Sequence, residues 1–142
     1  MKPLPRTNHP LVVRTDFEHQ EAWETICNMI RAPVYVMGDT LYAYVQFLED
    51  VEFRGLDTKD LLARLPRDYE QPILFIVDTI ATTHPEYQIL VIDLGEEFGR
   101  SFRAIPSAIQ GIENNLSIAN MGFSEFAAAT DKDGIFRGFR TP

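Results

Sequence analysis

Asp78, His84 and Asp93 are the side chains of this chain best suited by type and spacing to acid–base chemistry. Each Asp follows an apolar run, ILFIV before Asp78 and ILVI before Asp93, and His84 falls between the two. An imidazole that changes charge near neutral pH, next to a carboxylate, could act as a base or a ligand. If the two runs are parallel neighbouring strands, both carboxylates emerge at one end of a sheet, where open α/β sheets bind their ligands. The spacer of about ten residues fits a hairpin as well as a crossover, and a hairpin sends the carboxylates to opposite ends. The plainer reading, in which both Asp residues cap turns and His84 bonds its own loop, is the stronger one.

Glu113, Asn114 and Asn115, with Asn120 beyond them, form a second polar set, whose functional reading is a polar binding surface. Asn tolerates left-handed backbone and bonds neighbouring peptide groups, so a set that shapes a helix end and the following turn is the stronger reading, by a modest margin. Other chemistries find little footing. His9, His19 and His84 are widely spaced and no HExxH or HxH occurs, so no metal site is expected. Cys27 is the only cysteine; inside an apolar helical pattern it reads as a small core residue. Ser101, Ser107, Ser117 and Ser124 lack a GxSxG elbow, and no glycine-rich phosphate loop is present. Asp131-Lys132-Asp133-Gly134 lacks the further ligands of a calcium loop and reads as a turn. No cofactor is expected.

These residues must be positioned by alternating strands and helices. Residues 1–10 hold three prolines and read as an irregular arm, followed by one domain over 11–142. LVVR at 11–14 is β-prone, and Thr15-Asp16 is an N-cap signal for a helix at 18–31, with Phe17, Trp23, Ile26, Cys27 and Ile30 along one face. Segments 34–37 and 41–48 are β-rich around a Gly38-Asp39 turn, and 49–53 could prolong the second. Asp57-Thr58 opens a short helix at 58–65. The runs at 73–77 and 88–93 suit strands buried on both faces, and 101–105 a further strand. Ser107 with Gln110 forms a capping-box pattern for a helix at 107–116, and Ser124 caps another at 124–130. The expected fold is a single α/β (α+β) domain with a mixed or mainly antiparallel sheet of about five strands and about four helices.

Composition narrows the partners. The 142 residues carry a net charge of −8, from 21 acidic against 13 basic side chains. That balance disfavours nucleic acid and anionic membrane and suits a basic protein partner. No run is long enough to span a bilayer, and MKPLPRTNHP lacks an apolar signal core, so a cytoplasmic location is expected.

LVVRTDF, FIVDTIATTHPEYQILVIDL and IPSAIQGIENNLSIANMGFSEFA together resemble an uncharacterised bacterial family, frequent in actinomycetes, classed as a domain of unknown function. The resemblance covers nearly the whole chain, is most specific in IENNLSIANM and THPE, and implies no activity. ANMGFSEFAAA is also similar to the terminal helix of some bacterial toxin-immunity domains, over about a tenth of the chain. The function expected from charge and missing motifs is a non-enzymatic protein-binding domain, immunity-like in one version. The alternative is a small enzyme or ligand-binding domain using Asp78, His84 and Asp93. A third reading is a homo-oligomer paired through an edge strand at 41–48.

Overall fold

The apolar runs at 73–77 and 89–92 lie side by side at the centre of a six-stranded sheet in the computed structural model, which describes residues 1–139. In chain order the elements are β1 (Leu11–Arg14), α1 (Gln20–Arg31), β2 (Val34–Val36), β3 (Asp39–Leu41), β4 (Gln46–Leu48), α2 (Thr58–Leu62), β5 (Ile73–Val77), α3 (Thr79–Thr83), β6 (Ile89–Asp93), β7 (Ser101–Ala104), α4 (Ile109–Ser117), α5 (Phe123–Ala128) and β8 (Ile135–Phe136). The sheet order is β4-β1-β5-β6-β7-β8, while β2 and β3 form a separate hairpin. Pairing is parallel at β4–β1, β1–β5 and β7–β8, and antiparallel at β5–β6 and β6–β7. The protein is therefore a single α+β domain on a mixed sheet.

Residue alternation along β1 assigns the two faces. Val12 belongs to one core with Trp23, Ile26 and Ile30 of α1, Ile109 and Ile112 of α4 and Phe123 and Phe126 of α5. Leu11 and Val13 point the other way, onto Phe53, Leu61 of α2 and Leu4 of the N-terminal arm. The arm has no regular structure, yet Leu4 is buried and its N–H donates to Arg64 O at 2.8 Å. Continuous burial of ILFIV follows from this double cover: β5 has a core on each side. Five phenylalanines (Phe102, Phe123, Phe126, Phe136 and Phe139) close the α5–β8 end, with centroid separations of 5.0 to 6.2 Å.

Several elements differ from expectation for identifiable reasons. Segment 41–48 is not one strand: only Gln46–Leu48 joins the sheet. Between them, the Tyr44 N–H donates to the Glu113 carboxylate at 2.7 Å and Tyr42 O accepts from Asn114 at 2.9 Å. Side chains from α4 thus satisfy backbone groups that a ladder would otherwise use. Val51–Phe53 is a 3-10 turn capped by Asp50 rather than a strand. The Thr15-Asp16 cap is displaced, since α1 begins after His19. The Ser107–Gln110 capping box does not form: Pro106–Ala108 is a 3-10 turn, α4 starts after Ala108, and the Gln110 side chain bonds Asn114. Gly122, not Ser124, stands at the N-cap of α5. Helix α3 and strand β8 went unforeseen because each is very short and held by distant partners.

Candidate functional site

Asp78, His84 and Asp93 do not share a site. β5 and β6 are antiparallel, with Asp93 opposite Ile73, whereas Asp78 follows Val77 at the other end of β5. Their separation along the strand is on the order of 15 Å, from a rise of ~3.3 Å per residue. Asp78 caps α3 by accepting from Ala81 N at 3.0 Å. Its two oxygens also accept a fork from Arg103, at 2.8 and 2.7 Å. His84 accepts at Nδ1 from Glu86 N, at 3.1 Å. Asp93 is buried, and its oxygens accept from Gly95 N and Glu97 N, both at 2.8 Å, which shapes the β6–β7 loop.

The second polar set is brought together, though chiefly by structural bonds. Glu113 is buried and accepts from Tyr44 N, Asn114 Nδ2 and Ser117 Oγ, each at 2.7 Å. Asn115 donates back to Gly111 O at 2.8 Å, and Asn120 donates to Asn115 Oδ1 at 2.7 Å. Ala119 adopts φ 56° in the turn between α4 and α5, the left-handed step that the sequence suggested for an Asn. Glu113 and Asn114 hold α4 against 42–44; Asn115 and Asn120 finish the helix end. Asn120 and Asp93 also line an open hollow of about 430 Å³ beside Glu96, Glu97 and Glu125.

The carboxyl ends of β4, β1 and β5 form a third polar region. β1 leads into α1 on one face and β4 into α2 on the other, because right-handed crossovers to opposite sides must use opposite faces. Crevices in open α/β sheets form where outgoing connections diverge in this way. Arg14 ends β1 there, buried, with Nη1 donating to Gln20 at 2.8 Å and to Glu49 at 3.1 Å. The guanidinium carbon is 4.5 Å from the Phe17 ring centroid and 5.3 Å from that of Trp23, whose Nε1 donates to Glu49 at 2.9 Å.

Next to it, Asp16 binds His19 and Thr82. His19 Nδ1 lies 2.6 Å from Asp16 Oδ2, and the Thr82 hydroxyl donates to the same oxygen. Glu18 N–H donates to the other oxygen at 2.9 Å. Burial pushes the Asp16 carboxyl up, but the bonds from Thr82, Glu18 N and His19 outweigh it and hold the group below the usual Asp range. An ionised carboxylate only accepts, so Nδ1 of His19 carries the proton and neutral His19 has its lone pair on Nε2. The His19 side chain is 42% exposed, so this nitrogen can be reached from solvent. The sequence reading missed this cluster: the i,i+3 spacing of Asp16 and His19 in TDFEH is its one local signal, and Thr82, 66 residues away, carries none.

Cys27 is buried, and that burial lifts its thiol to about 11, which leaves it an inert core residue. Among the described residues, no group of three or more His, Cys, Asp or Glu side chains is placed to hold a metal ion. No helix there is long and apolar enough to cross a membrane.

The β2–β3 hairpin is the last feature of note. Its turn carries Met37 at φ 49° and Gly38 at φ 85°, with Met37 98% and Tyr35 75% exposed. Val36, Tyr42 and Tyr44 extend the exposed apolar surface.

Fold and polar sites together define a one-domain α+β protein whose buried carboxylates serve mainly as local connectors. The chain belongs to the family described as a domain of unknown function, DUF6924, whose model matches residues 9–139. No curated protein matches it.

Proposed function

We propose that this is a protein-binding domain whose contact element is the β2–β3 hairpin and whose partner presents a basic segment. Met37 carries the reading. A hairpin turn with two successive positive-φ residues favours Asn-Gly, and a long unbranched side chain there is strained. Met37 is also almost wholly exposed and flanked by exposed Tyr35 and Val36, so it lacks a packing benefit within the chain. A strained, exposed apolar residue is better explained by contact with another molecule than by stability. Asp39 follows the turn, and the net charge of −8 favours a basic partner through steering.

The immunity-like version of this reading makes that partner a basic toxin. Phe123 and Phe126 of the ANMGFSEFAAA stretch are buried, so this version rests on charge and hairpin rather than on a surface from that stretch.

The test is affinity capture at low salt from a native lysate, followed by binding measurements on the recovered partner. Met37→Asn should keep or raise thermal stability while weakening binding, since Asn suits the left-handed turn. Loss of binding above physiological salt would show the electrostatic share. A partner that binds Met37→Asn and Tyr35→Ser as well as the parent chain would overturn the assignment of the hairpin.

A further inference from the structure

His19 and His84 both bond through Nδ1 but in opposite roles, and this difference has chemical content. Glu86 N–H can only donate, so His84 must accept at Nδ1, leaving its proton on Nε2 when neutral. Asp16, already engaged by Thr82 and Glu18 N, can only accept, so His19 is the reverse tautomer. His9 makes a ring contact with Tyr44, at 6.1 Å between centroids. His19 is thus the imidazole with a carboxylate behind it and a basic nitrogen in front. A buried acid holding Nδ1–H while Nε2 meets the substrate is the arrangement general bases use.

We propose that His19, oriented by Asp16 and Thr82, is the general base of a hydrolytic site for neutral or cationic carboxylic esters. The site would be the open depression of about 480 Å³ lined by His19, Gln20, Glu21, Thr25 and Tyr87, with Glu18 on its rim. Glu18 and Glu21 set the substrate class, because both are exposed carboxylates that repel anionic esters. In the reaction, Nε2 removes a proton from water as the water oxygen bonds to the acyl carbon. Collapse of the tetrahedral adduct breaks the bond to the leaving oxygen, which takes the proton back from Nε2–H. Ester and water become acid and alcohol, and the imidazole is restored. Asp16 and Thr82 touch no substrate; they are positioning residues. This inference is independent of the hairpin reading, and its test involves no protein partner.

The experiment uses the full chain with p-nitrophenyl acetate as the neutral probe, acetylcholine as the cationic one and mono-p-nitrophenyl succinate as the anionic one. Relative to each ester's own uncatalysed rate, acceleration of the first two should exceed that of the third, and His19→Asn should lower it on the order of 100-fold, as for loss of a general base. His84→Asn and His9→Asn should leave it unchanged. Nitrogen NMR of neutral His19 should show the Nδ1–H form in the parent chain, and a mixture of tautomers in Asp16→Asn. Thr82→Val removes the hydroxyl bond to Asp16 but not the Asp16–His19 bond, so it should keep the Nδ1–H form while lowering ester hydrolysis severalfold, and it carries the positioning test if Asp16→Asn does not fold. Equal rates in the parent chain and His19→Asn, or an Nε2–H form in the parent chain, would overturn the proposal. A preference for the anionic ester would overturn the substrate class.

Discussion

Glu113 shows how much a single buried carboxylate can organise. It accepts three hydrogen bonds, one from the peptide N–H of Tyr44 in a segment without a ladder partner. Replacing it by Ala leaves that N–H without a protein acceptor, a loss of about 1–3 kcal/mol. A fall in the urea midpoint with unchanged m-value, together with faster amide exchange at Tyr44, is the expected result. Asp16 gives a pH prediction. Its folded pKa is lowered, so its contribution is complete above the unfolded value of about 3.9. It is lost as pH falls through the lower folded value. Thr82→Val removes one of the bonds that lower it, so the stability difference between parent and variant should shrink on acidification below pH ~4. Thermal melts between neutral and acid pH test this, and a difference that grows instead would refute it. Neither role was legible beforehand: the bond from Tyr44 to Glu113 spans 69 residues and leaves no sequence pattern, whereas the burial of Cys27 follows from helical spacing alone.

Among the elements, legibility followed length and local periodicity. The ILFIV run announced β5 because burial on both faces erases alternation. Trp23, Ile26, Cys27 and Ile30 announced the buried face of α1 in the same local way. Hairpin and crossover were indistinguishable for 78–88, so the ends at which Asp78 and Asp93 emerge could not be read. Helix α3 is only five residues long and owes its start to Asp78, which caps it and receives Arg103 from β7. Asp78→Ala should cost about 0.5–2 kcal/mol, the range for a lost cap. It should loosen α3 selectively, seen as faster amide exchange at Ala81 and Thr82 with β1 and β5 still protected. Uniform loss of protection would mean that α3 does not open on its own.

Across the whole molecule, the two cores depend on groups far apart in sequence. Arg137 is paired with Glu86 at 2.6 Å, Asp131 at 2.7 Å and Asp133 at 2.6 Å, joining the segment after β8 to the α3–β6 loop. Its hydrogen bonds hold Glu86 and Asp133 below their ordinary ranges. The contribution of these pairs is therefore present at neutral pH and fades as acid titrates the two carboxylates through their lowered values. Within the aromatic end, Phe126→Ala should be far more costly than any surface change, at about 3–5 kcal/mol, measured as a lower denaturation midpoint.

The strand order β4-β1-β5 also bears on how the chain is made. β1 leaves the ribosome before both of its sheet neighbours, which begin at Gln46 and Ile73. Until β5 emerges, LVVR has nothing on one edge and half a core on each face. Assembly from such distant pairings is slow, and the waiting apolar segments are exposed to aggregation. Nascent chains arrested before Ile73 should thus remain protease-sensitive and chaperone-bound, with protection arriving only once β5 and β6 have been synthesised.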